Sequence, residues 1–99
     1  MNKNDEIKLT QALNEISNLR RLRFGNHEFP IWRNSVSRLL ELAFGKGSSE
    51  YNRFINAPGK GFIVRTEQGQ QEDYSFRLDC YENALKSILD GEKPAERRG

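Results

Sequence analysis

The chain has 99 residues, of which 35% are hydrophobic and 30% charged, with a net charge of +2 and a single cysteine. This length corresponds to one domain with a modest core, so a deep enzymatic cleft is not expected. The lone cysteine excludes an internal disulfide. Since no apolar run approaches the roughly 20 residues of a membrane-spanning helix, we expect a cytoplasmic protein with no membrane partner.

The charges are unevenly distributed along the chain. Residues 20–53 carry seven basic and three acidic side chains, a net +4, whereas residues 61–99 carry six basic and eight acidic ones, a net −2. This asymmetry predicts either an acidic partner for the basic centre or an attraction between the two parts of the chain.

Two amphipathic helices are predicted in the first half of the chain. The first begins at a cap formed by Asn4 or Asp5 and extends to about Arg23. Its apolar stripe is Leu9, Leu13, Ile16, Leu19 and Leu22. The second begins near Pro30, because proline is tolerated in a first turn, and ends at Gly45. Its buried face is Trp32, Val36, Leu39, Leu40 and Ala43.

Two further helices are predicted in the second half. Ser48 or Ser49 caps a short third helix. The fourth helix extends from about Gln71 to Asp90, because apolar residues recur there at steps of three and four. They are Tyr74, Leu78, Tyr81, Leu85 and Ile88. The predicted fold is mostly all-α, a small antiparallel bundle of three main helices and one short helix.

The stretch between the third and fourth helices is the least helical part of the sequence. Phe62, Ile63 and Val64 favour a strand, so we predict a short extended segment at 61–66. The alternative is an α+β fold in which 61–66 and 73–78 pair as a hairpin. We expect 1–91 to form a single helical domain, and 92–99 to be a flexible charged tail or the start of a linker.

No pattern of catalytic, metal-binding or cofactor-binding residues emerges. His27 and Cys80 are far apart and lack the spacing of zinc ligands. Cys80 falls in the middle of a predicted helix, where a cysteine is usually a small core residue. The glycine-rich turn at 45–49 lacks the spacing of a phosphate-binding loop. The carboxylates of the fourth helix are assigned to its solvated face: Asp73, Asp79 and Glu82. We therefore expect a non-enzymatic protein with no metal or cofactor.

The stretch from Arg20 to Asn34 is the densest group of basic and aromatic residues. After the helix ends and Trp32 are accounted for, the aromatic and arginine side chains left over in this stretch and in the third helix are candidates for binding a protein partner or a second copy of the chain. They are Phe24, Phe29, Arg33, Tyr51 and Arg53. The alternative is a small basic nucleic-acid-binding or regulatory protein that contacts phosphates through the neighbouring arginines. They are Arg20, Arg21, Arg23 and Arg38.

Three stretches, LNEISNLRRL, FPIWRNSVSRLLELAFGKGSSEYNRF and YENALKSILD, follow one another as helices and turns. This series, over about residues 7–90, resembles the small helical accessory module found in prokaryotic proteins ahead of TIR-like nucleotide-binding and other effector domains, many of them linked to phage defence. The resemblance implies an interaction or self-association module that serves antiphage defence or its inhibition. The sequence contains no TIR-like or nuclease domain, so the resemblance assigns no catalytic residue, and TEQGQQED departs from the compact loop of the family.

Overall fold

A computed structural model of the chain describes residues 2–59 and 65–91. These residues form four helices and no strand: α1 (Lys3–Leu19), α2 (Glu28–Phe44), α3 (Ser49–Ile55) and α4 (Glu67–Gly91). The predicted helical bundle is therefore confirmed. The alternative hairpin is wrong, because 73–78 lies inside α4. Residues 61–64 of the predicted extended segment and the predicted tail, 92–99, lie outside the described residues.

α1 begins before its predicted start and stops before its predicted end. The side-chain oxygen of Asn2 accepts a hydrogen bond from the backbone N–H of Asp5 (2.8 Å), so the cap lies two residues before Asn4 and three before Asp5, the two predicted positions. The helix ends at Leu19 instead of Arg23. After Leu19 the hydrogen bonds change from four-residue to three-residue spacing: the N–H of Leu22 donates to the carbonyl of Leu19 (3.0 Å). A three-residue hydrogen bond of this kind closes the last turn of many helices.

The starts of α2 and α3 are set by polar side chains. α2 begins at Glu28, two residues before the predicted start, which leaves Pro30 in the first turn. The side-chain oxygen of Asn26 accepts a hydrogen bond from the N–H of Phe29 (2.8 Å). The hydroxyl of Ser48 accepts one from an N–H in the first turn of α3 (3.1 Å), as the sequence predicts. Each such bond satisfies a donor that has no partner within its helix.

α4 starts at Glu67, four residues before the predicted start at Gln71. Thr66 caps it, since its hydroxyl accepts a hydrogen bond from the N–H of Gly69 and its carbonyl accepts one from Gln70, both at 3.0 Å. This cap outweighs the unfavourable effect of Gly69 in the first turn, since a glycine inside a helix costs about 1 kcal/mol relative to alanine. Although α4 has 25 residues, no helix in the described part of the chain is apolar enough to cross a membrane.

α1 contacts both α2 and α4 and runs antiparallel to both. α3 also contacts α2 and α4. No Cα atom of α2 lies within 8 Å of a Cα atom of α4. The buried residues form one core: Leu9, Ala12, Ile16, Leu19, Trp32, Val36, Leu40, Phe54, Tyr74, Leu78, Tyr81, Ala84, Leu85, Ile88 and Leu89. Side chains, not backbones, therefore connect α2 to α4.

Five aromatic rings, here called the aromatic cluster, make this connection. They are Phe29, Trp32, Phe54, Tyr74 and Tyr81. The ring centroids of Phe54 and Tyr81 lie 4.7 Å apart, and those of Phe29 and Tyr74 meet edge-on at 5.4 Å. Aromatic pairs of this geometry contribute about 0.5–1.5 kcal/mol each beyond the area that they bury. The aromatic cluster therefore fixes the spacing of α2 and α4.

Two polar atoms of the aromatic cluster anchor it to the backbone of α1. The indole Nε1 of Trp32 donates a buried hydrogen bond to the carbonyl of Ala12 (3.0 Å). The hydroxyl of Tyr74 donates to the carbonyl of Leu19 (2.6 Å), the last residue of α1. That carbonyl also accepts the three-residue bond from the N–H of Leu22, so the tyrosine is its second donor at the helix end.

We expect Tyr74→Phe to lower the free energy of unfolding by about 1 kcal/mol, because the carbonyl of Leu19 loses the hydroxyl and keeps only the N–H of Leu22 as a donor. Urea denaturation measures this loss. Tyr51→Phe is the matched control, since Tyr51 is half-buried and its hydroxyl makes no hydrogen bond within residues 2–59 and 65–91. An equal loss in both variants would show that the hydrogen bond to Leu19 contributes nothing specific.

Candidate functional site

A groove of about 280 Å³ opens where the α1–α2 connection meets the first turns of α4. It is lined by residues from three places in the sequence and is called the elbow groove below. The lining residues are Phe24, Gly25, Phe29, Gln70, Asp73, Tyr74 and Arg77. The connection supplies the first two, the first turn of α2 the third, and α4 the remaining four.

The connection that forms one wall of the elbow groove is fixed to α4 by side-chain hydrogen bonds. The backbone N–H of Phe24 donates to the side-chain oxygen of Gln71 (2.9 Å). The side-chain amide of Asn26 donates to the hydroxyl of Tyr74 (3.0 Å). Between them Gly25 has φ +81°, a conformation that residues with a side chain rarely adopt. The wall is therefore built by specific contacts and not by a loose loop.

The opposite wall of the elbow groove carries an ion pair. Arg77 Nε donates to Asp73 Oδ2 at 2.8 Å, and both side chains are about one-third exposed, at 34% and 27%. This hydrogen bond raises the pKa of Arg77, against the opposing effect of partial burial. The guanidinium has five N–H donors, of which this bond uses one. The wall is thus neutral in net charge and still offers hydrogen-bond donors.

Two of the five predicted partner-binding residues lie in the elbow groove. Phe24 is half-buried beneath the guanidinium of Arg23, which lies 4.9 Å from the centroid of its ring. Phe29 is also half-buried and belongs to the aromatic cluster, where it contacts Tyr74 and Tyr81. Phe29 therefore supports the fold and lines the groove at the same time.

The other three predicted partner-binding residues lie elsewhere. Arg33 Nε donates to the hydroxyl of Tyr81 (2.6 Å), so the guanidinium covers the aromatic cluster. Tyr51 packs half-buried against the core. Arg53 is exposed on α3 and donates to the hydroxyl of Ser87 on α4 (3.1 Å). The structure does not bring these three residues to the elbow groove.

Two of the four arginines of the nucleic-acid alternative form ion pairs with α4. Arg20 bonds to Asp79 (2.7 Å) and to Glu82 (2.6 Å), and Arg23 bonds to Glu67 (3.1 Å). Burial lowers the pKa of Arg20, but the two hydrogen-bonded carboxylates outweigh it, and the pKa is raised overall. The basic centre and the acidic third of the chain thus attract each other, one of the two outcomes that the charge distribution predicts.

The remaining two, Arg21 and Arg38, are exposed. Neither forms an ion pair with any residue that the structure describes. Arg21 follows α1, whereas Arg38 lies in the middle of α2. Two of the four positive charges therefore stay available to an anionic partner.

The sequence did not predict that Gln70, Asp73 and Arg77 contribute to a site. The predicted helix started too late to include Gln70, and Asp73 was assigned to a solvated face. Asp73 and Arg77 are four residues apart and flank the apolar seam at Tyr74, a spacing that brings opposite charges together on a helix. This spacing, together with Thr66 as a possible cap, is the feature of the sequence that could have indicated the earlier helix start and the ion pair.

Cys80 is half-buried on α4 and is not poised as a nucleophile. Partial burial raises the pKa of its thiol, the carboxylate of Asp79 raises it further, and Arg77 opposes both. The thiol, which is not the reactive form, therefore dominates at neutral pH. Over residues 2–59 and 65–91, no group of three or more potential ligands is arranged to hold a metal ion.

Comparisons with protein families, with curated proteins and with solved structures find no match for this chain. The candidate site is therefore defined by its geometry alone: an aromatic wall, a wall with a neutral ion pair, and a volume of about 280 Å³.

We expect alkylation of Cys80 by iodoacetamide to increase with pH around a higher midpoint in the folded chain than in the urea-unfolded chain. The raised pKa implies that the thiol stabilises the fold below the pKa of the unfolded thiol. This contribution is lost as pH rises through the folded pKa. Rates measured from pH 6 to about pH 11 locate both midpoints, and a folded midpoint at or below the unfolded one would contradict the assignment.

Proposed function

We propose that this chain is a non-enzymatic protein-interaction module whose elbow groove accepts one aromatic or large apolar side chain from a protein partner. The observation that carries the proposal is the pair of phenylalanines, Phe24 and Phe29, in a groove of about 280 Å³. Sites for small organic ligands occupy about 300–1,000 Å³. At about 280 Å³ the elbow groove is slightly smaller than that range, which suits a single anchoring side chain better than a cofactor.

The polar wall supports binding of a peptide backbone next to the anchoring side chain. The guanidinium of Arg77 retains donors beyond the one given to Asp73. Gln70 is half-buried at the same wall and has an amide with both donor and acceptor atoms. Since the ion pair is neutral overall, the anchor need not carry a charge. Buried aromatic anchors surrounded by polar groups contribute most of the affinity in many protein interfaces.

The titratable groups support a binding role over catalysis. Asp73 and Arg77, the two charged residues of the elbow groove, are paired with each other. The Oδ2 atom of Asp73 already accepts a hydrogen bond from Arg77, so this oxygen is not free to take a proton from a substrate. The thiol of Cys80 has a raised pKa and does not line the groove.

The resemblance to effector-associated accessory modules extends the proposal to the class of partner. On this reading the partner is an effector protein of prokaryotic antiphage defence, which the module supports or inhibits. This extension rests on helix and turn spacing over about residues 7–90, whereas the binding role rests on the elbow groove.

The proposal is tested by selecting peptides from a random display library against the folded chain. We expect the selected peptides to share one aromatic or large apolar residue. They should bind about tenfold more weakly, equivalent to 1.4 kcal/mol, to Gln70→Trp, in which the new indole fills the groove. Isothermal titration calorimetry measures both affinities, and circular dichroism confirms that the variant folds.

Gln68→Trp is the matched control, because Gln68 is exposed on the same turn of α4 and does not line the elbow groove. It should bind the selected peptides as the wild type does. Peptides without a common anchor, or peptides that bind Gln70→Trp as tightly as the wild type, would exclude the elbow groove as the docking site.

The nucleic-acid alternative makes a different prediction. If Arg21 and Arg38 contact phosphates, the chain binds fluorescent single-stranded or duplex DNA at low salt, and the affinity falls steeply as salt rises. We expect no such binding, because carboxylates already neutralise Arg20 and Arg23. Fluorescence anisotropy decides the point. Salt-dependent binding that Arg21→Ala with Arg38→Ala weakens would establish the alternative.

A further inference from the structure

Arg33 is half-buried and has no carboxylate partner in the part of the chain that the structure describes. Within residues 2–59 and 65–91, Arg33 and Arg77 are the half-buried arginines, and the others are exposed. Arg77 pairs with Asp73, whereas the contacts of Arg33 are with the uncharged side chain of Tyr81. Because charges attract each other more strongly where water is partly excluded, Arg33 is better placed to bind an anion than the exposed arginines are.

The contacts of Arg33 leave most of its donors unused. Its Nε donates to the hydroxyl of Tyr81 (2.6 Å), and a guanidinium has five N–H donors in all. Tyr81 is only 2% exposed, yet its own O–H has no acceptor within the described residues. The groups still without a partner here are therefore N–H and O–H donors. A carboxylate complements them, because an ionised carboxylate only accepts hydrogen bonds.

Arg33 lies one helical turn beyond the elbow groove. It follows Phe29, which lines the groove, by four residues on α2, and residues at this spacing are neighbours on one face of a helix. Tyr81 follows Arg77, which also lines the groove, by four residues on α4. The rings of Phe29 and Tyr81 are in contact, with their centroids 5.9 Å apart. Arg33 and Tyr81 therefore continue the seam between α2 and α4 in which the groove opens.

The side chains along this seam carry a net positive charge. Asp73 contributes one negative charge, whereas Arg77 and Arg33 contribute two positive charges, which leaves a net +1. The two carboxylates of α2, those of Glu28 and Glu41, form no ion pair with Arg33. A single carboxylate from a partner neutralises this charge.

We propose that Arg33 binds a carboxylate of the partner segment, from an aspartate or glutamate close to the residue that occupies the elbow groove. The inference rests on the proposed function and adds the charge of the partner to it. Phe29 and Arg33 are separated by about 6 Å along the axis of α2. Since an extended peptide advances by about 3.3 Å per residue, the acidic residue should lie within about three positions of the anchoring residue.

Peptide selection against two forms of the chain tests the inference. The wild type should select peptides that carry an aspartate or glutamate within about three positions of the anchor. Arg33→Gln should select the same kind of anchor without a neighbouring acidic residue, because glutamine is uncharged. Anchored peptides from the wild type that show no excess of acidic residues would overturn this inference and leave the proposed function intact. Peptides without a common anchor would overturn both.

Isothermal titration calorimetry measures the contribution of the carboxylate without any change in the protein. One selected acidic peptide is compared with a version in which its aspartate or glutamate is replaced by the corresponding amide. We expect the wild type to bind the acidic peptide about fivefold more tightly, the magnitude of a partly exposed ion pair. Equal affinities for the two peptides would refute the inference whether or not any variant folds.

Arg38→Gln is the matched control for Arg33→Gln. Both substitutions remove one positive charge from α2, and Arg38 is exposed and does not line the elbow groove. Arg33→Gln should bind the acidic and amide peptides equally, whereas Arg38→Gln should retain the preference for the acidic one. A preference that persists in Arg33→Gln, or that is lost equally in Arg38→Gln, would contradict a direct contact with Arg33. Circular dichroism confirms that both variants fold.

Discussion

The packing of the aromatic cluster between α2 and α4 is the constraint on which the rest of the structure depends. No Cα atoms of these two helices come within 8 Å of each other, so the rings of Phe29, Trp32 and Tyr81 set the distance between them. Hydrogen bonds from Trp32 and Tyr74 to backbone carbonyls of α1 then fix the position of the aromatic cluster relative to α1. The elbow groove opens where the cluster ends, at Phe29.

The helices could be predicted from the sequence because each has an apolar stripe that only a helix places on one side. The helix ends could not, because single side chains decide them. Asn2 and Thr66 each cap a helix earlier than the apolar pattern begins. The elbow groove could not be predicted from the sequence either. Its walls are joined by contacts such as the hydrogen bond between Phe24 and Gln71, which are 47 positions apart. Periodicity describes one helix at a time and does not show which helices become neighbours.

The sequence also does not show which groups neutralise the basic centre, residues 20–53. A count of residues predicts an acidic partner, but it does not show whether that partner belongs to the same molecule. Arg20 and Arg23 have their carboxylates on α4. Arg33 lies against Tyr81. The groups that the elbow groove offers to a partner are therefore mainly aromatic rings and hydrogen-bonding side chains. For this reason we propose that it binds a protein segment and not a nucleic acid.

The most direct measurement of the central claim, that the elbow groove accepts an aromatic side chain, is an NMR titration with N-acetyl-tryptophan amide. The account predicts nuclear Overhauser contacts from the indole to the rings of Phe24 and Phe29, with amide shifts confined to the residues lining the groove. N-acetyl-alanine amide should produce neither effect, because it has no large apolar side chain. Shifts spread over the surface, or indole contacts to other residues with none to the two phenylalanines, would contradict the account.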